Sequence, residues 1–103
     1  MRRLSTPTHR FDMDLPDDVI GAIKTIMITY AQAGTVVLDK RGEDVTIEGR
    51  TAVTKLTQED TKKFTSGNRV EMQLRIFTRG GDSIPSNIMT TDCERVLNDE
   101  VME

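Results

Sequence analysis

Apolar and polar residues alternate with a period of two along much of this chain. In residues 70–77, Val70, Met72 and Leu74 alternate with mostly polar side chains, and residues 8–15 repeat the pattern with Phe11 and Met13. A two-residue period places one face of a β-strand in a core and the other in solvent. Together with the turn residues between such segments, the pattern predicts strands at residues 8–15, 24–30, 35–40, 44–48, 51–56, 70–77 and 88–97.

The connections between these segments carry turn and helix signals. Gly49-Arg50 predicts a two-residue hairpin loop, because glycine at the first central position permits a type II′ turn. Thr57 and Asp60 have the spacing of a capping box, with Asp in place of the usual Glu or Gln. That spacing predicts one short helix. Pro16 ends the first predicted strand, and the acidic residues after it suit a helical turn or a loop.

These elements predict an all-β fold with one short helix. Seven short strands about ten residues apart, joined by Gly-containing turns, are typical of an antiparallel β-sandwich, and a small barrel is the alternative. Val45 and Ile47 are expected to face inward. The length of 103 residues fits a single domain over residues 1–103, with residues 1–6 and 98–103 expected to be frayed.

Composition supports the strand prediction and excludes several classes of protein. Thirty of the 103 residues are Thr, Val or Ile, which suit a pleated, half-buried surface. No apolar run approaches the roughly 18 residues that span a bilayer, so no membrane contact is expected. The net charge of -3 argues against a general nucleic-acid binder. Cys93 is the only cysteine, so no disulfide can form within the chain.

His9 and Cys93 are the two side chains of the kinds that most often serve as catalytic base and nucleophile. His9 shares a predicted strand face with Phe11, whereas the neighbouring aspartates point to the opposite face. A structural or surface histidine is therefore the favoured interpretation. Cys93 is expected to be a small buried hydrophobe, and one Cys with one His cannot complete a four-ligand zinc site. We expect no enzymatic activity, no metal and no cofactor.

Four aspartates lie close together near the end of the first predicted strand: Asp12, Asp14, Asp17 and Asp18. Calcium needs six to eight oxygen ligands from a loop that wraps the ion, and the spacing of an EF-hand is absent. We therefore favour a solvated acidic edge over a calcium site.

Gly80-Gly81 lies between two predicted strands, so we interpret it as a hairpin turn and not as a phosphate-binding loop, which requires a strand-to-helix context. Arg69, Arg75 and Arg79 form a basic stripe on one sheet face if regular pairing continues through them. The favoured interpretation of this series is a solvated face that discourages edge pairing.

Over residues 5–97 the chain resembles a family of short proteins encoded in prophages and phages of gut Firmicutes. The segments that carry this resemblance are residues 6–11 (TPTHRF), 28–32 (ITYAQ), 56–61 (LTQEDT), 70–82, and 88–90 (IMT). None of these segments encodes a known chemistry, so the resemblance implies an origin more than an activity.

The opening of residues 6–8 is also similar to immunoglobulin-like modules at the N-termini of phage baseplate proteins. Asp60 precedes Phe64 by four residues, a spacing that resembles the turn before the sixth strand of immunoglobulin domains, although Ser66 stands where those domains have a cysteine. These similarities imply an immunoglobulin-like sandwich.

A phage origin implies a protein partner and two classes of function. The first is a virion component of the tail, baseplate or head, which self-associates symmetrically or docks on a larger ring. The alternative is an anti-CRISPR-type inhibitor that binds a host defence nuclease through an acidic surface resembling phosphate. The implied location is the virion or the host bacterial cytoplasm. The candidate partner-binding residues are Asp12, Asp14, Asp17, Asp18, Arg79 and Asp82.

Overall fold

The computed structural model describes residues 5–86 and 88–92, without the side chains of residues 91 and 92. This part of the chain contains eight strands, two α-helices and a 3-10 turn at Gly42–Asp44. The strands are β1 (Thr8–Asp12), β2 (Ile23–Gln32), β3 (Thr35–Arg41), β4 (Val45–Glu48), β5 (Thr51–Lys55), β6 (Arg69–Thr78), β7 (Ser83–Pro85) and β8 (Met89–Asp92). The helices are α1 (Asp17–Gly21) and α2 (Gln58–Lys62).

The strands form two antiparallel sheets. The first sheet has the order β1-β5-β4. The second has the order β3-β2-β6, with β7 and β8 paired to successive parts of the remaining edge of β6. Because each sheet ends in edge strands, the described strands do not close into a barrel.

The strand order is that of an immunoglobulin domain. When β1 to β6 are matched in chain order to strands B, C, C′, D, E and F, and β7 with β8 to strand G, the first sheet becomes B-E-D and the second C′-C-F-G. Immunoglobulin domains place A, B, E and D in one sheet and C, F and G in the other, and variable-type domains add C′. The chain is an immunoglobulin-like antiparallel β-sandwich, and the predicted fold class is confirmed.

The core lies between the two sheets and is built by alternate residues of their inner faces. The central pair β2 and β6 is antiparallel, with Ile28 opposite Leu74, so the alternate residues of both strands point to the same side from Ile26 onwards. A register shift between Ile23 and Thr25 places Ile23 on that side as well. Each large apolar side chain that is fully buried in this way stabilises the fold by about 1.5–3 kcal/mol. The buried residues of these two strands are Ile23, Ile26, Ile28, Tyr30, Val70, Met72, Leu74 and Ile76.

Two predicted elements have different bounds or types in the structure. The first strand ends at Asp12 and not at residue 15, because residues 13–16 leave the ladder before α1. The expectation of one helix is wrong, since α1 forms in addition to α2. The acidic first turn of α1, Asp17 and Asp18, suits a helix N-terminus. The capping box of α2 is present as predicted between Thr57 and Asp60.

The edges of the sheets account for the remaining differences. Ile47 shares the inner face with Val45 but is 44% exposed, because β4 is the edge strand of the smaller sheet. The seven predicted strands become eight, because the last strand is preceded by the three-residue β7. Of the predicted strand at residues 88–97, the structure describes Met89–Asp92 as β8, and residues 93–97 lie outside the described part.

Candidate functional site

Three connections between strands meet at one end of the sandwich. The register places Asp12 opposite Thr51, so residues 13–22 begin beside the turn at residues 49–50. Ile23 lies opposite Thr78, which brings the other end of the same connection beside the turn at residues 79–82. These three segments, residues 13–22, 49–50 and 79–82, form what we call the loop end. In immunoglobulin variable domains, the connections between strands B and C and between F and G form part of the antigen-binding end.

Arg50 ties the first two of these segments together. Its carbonyl oxygen accepts a hydrogen bond of 2.8 Å from the Met13 amide. Its guanidinium donates to the Leu15 carbonyl at 2.5 Å and forms an ion pair with the Asp17 carboxylate. Bonds from one side chain to two points of a connection restrict the conformations of that connection. These bonds add to the packing of residues 13–17, in which Met13 is buried in the core and Leu15 packs against it.

The acidic residues of the loop end differ in how they are bonded. Asp12 accepts a hydrogen bond of 3.1 Å from the Thr51 hydroxyl, and Asp17 is bonded to Arg50. Asp14 and Asp18 are exposed, and within the described part of the chain their side chains make no hydrogen bond or ion pair. These two carboxylates keep their hydration and are available to a partner.

The turn at residues 79–82 is a closed hairpin that supports two exposed charges. The Thr78 amide donates to the Asp82 carbonyl at 2.9 Å, and the Asp82 amide donates to the Thr78 hydroxyl at 3.1 Å. Gly81 has a φ of 91°, which favours glycine at this position. The Arg79 amide donates to the Ala22 carbonyl at 2.9 Å and joins the turn to the first connection. The side chains of Arg79 and Asp82 remain exposed.

The structure therefore brings all six candidate partner-binding residues to the same end of the molecule. Their role stays a prediction. The sequence predicts Arg50 only as a hairpin residue and gives no sign of its bonds to the first connection. The bonds of this side chain to Leu15 and Asp17 show that it faces residues 13–17. Arginine in a two-residue turn is too common a feature to predict such a role from the sequence.

The acidic cluster has no geometry for a metal ion within residues 5–86 and 88–92, where no three His, Cys, Asp or Glu side chains converge.

The three arginines of the predicted basic stripe do not lie on one strand. Arg69 and Arg75 belong to β6, where they alternate with buried residues, whereas Arg79 lies beyond the strand in the turn. Glu71 lies between Arg69 and Arg75 on the same face, so the outer face of β6 is mixed in charge.

The opposite end of the sandwich contains a buried ion pair. Lys40 on β3 and Asp60 in α2 meet at 2.6 Å, and only 11% and 12% of their side chains are exposed. Burial opposes ionisation of Asp60, but hydrogen bonds from Lys40 and from Thr57 outweigh it and hold the pKa of this carboxyl below its usual value. Asp60 also accepts the Thr57 amide at 2.9 Å in the capping box. We call residues 56–68, together with Lys40, the helix end.

His9 is part of a polar contact between the two sheets. Its Nδ1 and the Tyr30 hydroxyl lie 2.7 Å apart, and the Tyr30 ring packs edge-on against Phe64. Burial lowers the pKa of the His9 imidazole, and burial together with the Asp60 charge raises the pKa of Tyr30. The short contact and both pKa shifts are properties of a structural hydrogen bond, in agreement with the favoured interpretation of His9 from the sequence. Cys93 lies outside the described residues.

Comparisons with known proteins assign no family to this chain. No protein-family model matches the chain, and no curated protein matches it significantly. Among solved structures, the chain is similar to the V domain of amphioxus IgVJ-C2, with 15% identity over 93% of this chain and 97% of that chain and a TM-score of 0.36. The fold assignment rests on the strand order and register. Among the described residues, no helix has the length and hydropathy needed to cross a membrane.

Proposed function

We propose that this chain is a non-enzymatic protein-binding module and that its loop end contacts the partner. The observation that carries the proposal is the convergence of residues 13–22, 49–50 and 79–82, each of which presents charged side chains on a rigid sandwich. Binding residues are often found on loops that a rigid scaffold positions. The chemistry of the described residues fits this role better than catalysis, since His9 is occupied by Tyr30.

The bonding at the loop end favours recognition of a charged protein surface. Arg50 restricts the first connection before any partner arrives, and a restrained loop loses less conformational entropy on binding. Asp14 and Asp18 present negative charge, and Arg79 presents positive charge nearby. Charges of both signs in a fixed arrangement give specificity and accelerate association more than they raise affinity.

The finer role that we propose is assembly of a phage virion. Support for this role comes from the resemblance to prophage-encoded proteins, together with the exposed charges of Asp14, Asp18 and Arg79 at the loop end. The alternative is inhibition of a host defence nuclease, which the unpaired Asp14 and Asp18 carboxylates favour because they would oppose a basic nucleic-acid channel. Both roles use the loop end, and they differ in where the partner is found.

A matched pair of charge reversals tests the binding surface. Asp18→Lys and Glu59→Lys each reverse an exposed acid at the second position of a five-residue helix, α1 at the loop end and α2 at the helix end. Tagged variants are expressed in cells that make the chain, and co-purified proteins are quantified by mass spectrometry. We expect Asp18→Lys to reduce recovery of a specific partner at least about fivefold, with a loss that weakens as salt rises. Equal recovery with both variants would contradict a partner surface at the loop end.

Mass spectrometry of purified particles separates the two finer roles. The chain is quantified in virions from an induced parent phage and in lysate of the same culture. Stoichiometric recovery in particles supports assembly. Abundance in lysate with absence from particles contradicts assembly and favours the inhibitor.

A further inference from the structure

An open groove runs along the side of the sandwich between β1 and the edge formed by β7 and β8. It has a volume of about 500 Å³. One wall is the chain at residues 11–15, and the other includes Ile84 and Met89, with Leu74 and Ile76 at the floor. Phe11 and Asp12 belong to β1, and residues 13–15 continue the wall beyond the end of the strand. β1 is an edge strand of its sheet, and no described strand pairs with its free side.

The backbone of β1 is open on the side away from β5, and Phe11 and Asp12 of this strand line the groove. Met13 donates its amide to Arg50, and Pro7 accepts from the Leu56 amide, so the odd-numbered backbone groups face β5. In an antiparallel ladder the intervening residues direct their N–H and C=O groups to the other side. The backbone groups of Arg10 and Asp12 therefore point away from the sheet, where β1 has no strand partner within the described part of the chain.

The opposite wall of the groove is much less suited to strand pairing. Pro85 is one of the three residues of β7 and has no N–H to donate. Ser86 donates its amide to the Leu74 carbonyl at 2.8 Å, and its hydroxyl accepts from the Leu74 amide at 3.0 Å, so its hydrogen bonds turn towards β6. An added strand can thus hydrogen-bond with β1 while its side chains cover the apolar part of β7 and β8.

Charge at the groove end of the open edge selects the partner, since Arg10 further along β1 is paired with Glu48. Asp12 and Asp14 are exposed beside the groove, and Asp14 has no bonded partner among the described residues. Opposite charges on neighbouring strands stabilise the pair, and like charges destabilise it. An added strand with basic side chains towards these carboxylates and apolar side chains towards Ile84 and Met89 fits both sides of the groove.

We propose that the groove binds an extended segment of a partner protein in which basic and apolar residues alternate, added as a strand to the open edge of β1. The chain's own residues after Asp92 include Glu94, Asp99, Glu100 and Glu103, and their charge repels the acidic rim. The proposal deepens the proposed protein-binding function and rests on it only in requiring that the partner be a protein.

The test uses synthetic peptides and the full chain. The probe is an acetylated, amidated nonapeptide in which lysine alternates with valine. One control peptide replaces each lysine by glutamate, and another carries N-methyl groups on the amides that would donate to β1. Amide hydrogen exchange is measured by NMR, and affinity is measured by titration calorimetry. Because the N-methyl control changes the peptide and not the protein, no variant has to refold.

We expect the lysine peptide to slow exchange at the Arg10 and Asp12 amides at least tenfold, and at neither Asp18 nor Arg79. We expect N-methylation of the peptide to weaken binding at least tenfold, and we expect the glutamate peptide not to bind. The double variant Asp12→Asn with Asp14→Asn should bind the lysine peptide about fivefold more weakly. Unchanged exchange at Arg10 and Asp12, or equal binding of the N-methylated peptide, would overturn the proposal. A dimer of the chain alone that already protects these amides would also overturn it.

In one result, Asp18→Lys abolishes recovery of the natural partner while the lysine peptide fails to slow exchange at the Arg10 and Asp12 amides. That result would support the loop-end function and reject strand addition. In the opposite result, the peptide slows exchange at the Arg10 and Asp12 amides of Asp18→Lys, and this variant recovers the natural partner as well as the parent does. That result would reject the loop end as the partner surface and support strand addition.

Discussion

The two ends of this sandwich use charged residues in opposite ways. At the helix end, Lys40 and Asp60 are buried against each other at 2.6 Å, and the acid also caps a helix. At the loop end, Arg50 bonds to Asp17 in the open, with side chains 52% and 88% exposed. The nearby Asp14 and Asp18 are left without a bonded partner in the described part of the chain.

The difference indicates which end is structural. A buried charge without its partner is strongly unfavourable, so the residues of the helix end depend on one another for folding. An exposed pair contributes little to stability, so selection on the loop end for folding is weak. Charged residues that the fold does not require are free to serve binding, and this contrast is the physical basis for placing the partner at the loop end.

The largest expected effect is the loss of the buried ion pair. Asp60→Ala leaves the Lys40 ammonium buried without a counter-charge and removes the capping box, so we expect the free energy of unfolding to fall by about 3–5 kcal/mol. Urea denaturation followed by circular dichroism measures this change. Glu59→Ala, in the same helical turn but exposed, is the control and should change stability by less than about 0.5 kcal/mol. A loss below about 1 kcal/mol for Asp60→Ala would remove the distinction between the two ends.

The hydrogen bond between the sheets should have a smaller effect. Tyr30→Phe deletes the hydroxyl that lies 2.7 Å from His9 Nδ1 while keeping the ring packed against Phe64. We expect a loss of about 1 kcal/mol, measured by the same urea titration. A variant as stable as the parent would show that water replaces Tyr30 as the partner of His9.

The pH dependence of stability should follow His9. Burial holds the pKa of this imidazole below its usual 6.5 in the folded chain, so the unfolded chain binds a proton first as the pH falls. Stability is therefore fully present above about pH 6.5 and declines below it. His9→Phe should flatten the unfolding free energy between pH 6.5 and pH 5, measured by urea titration at each pH. A slope unchanged from the parent would assign the pH dependence to other groups.

The smallest expected effect on stability is at the loop end. Arg50→Ala removes an exposed ion pair and a bond to the Leu15 carbonyl, and we expect a loss of no more than about 1 kcal/mol. Amide exchange in residues 17–22 should nevertheless accelerate several-fold, because the restraint on this connection is gone. Unchanged exchange, measured by NMR, would show that α1 holds its position without Arg50.

The sequence predicts the elements with strong local patterns and misses those set by distant contacts. β6 is evident because its inner and outer residues alternate without interruption over residues 70–77. β7 escapes prediction because three residues ending in Pro85 carry no period. Ile47 is placed on the correct face, but its exposure depends on the width of the facing sheet, which local pattern does not contain.

The same limit applies to the functional regions. The acids at residues 12–18 and the turn at residues 79–82 are visible as candidates, but their convergence depends on the register of Ile23 with Thr78. The pairing of Lys40 with Asp60 joins residues twenty positions apart on different elements. Local composition does not specify either contact, so both become apparent only in the folded chain.

Site-specific photo-crosslinking tests the central contrast most directly. A benzoylphenylalanine is placed at position 18 in one variant and at position 59 in another, and both are irradiated in cells that make the chain. We expect position 18 to yield a discrete crosslinked protein and position 59 to yield background alone. A discrete product from position 59 with none from position 18 would contradict the assignment of the partner to the loop end.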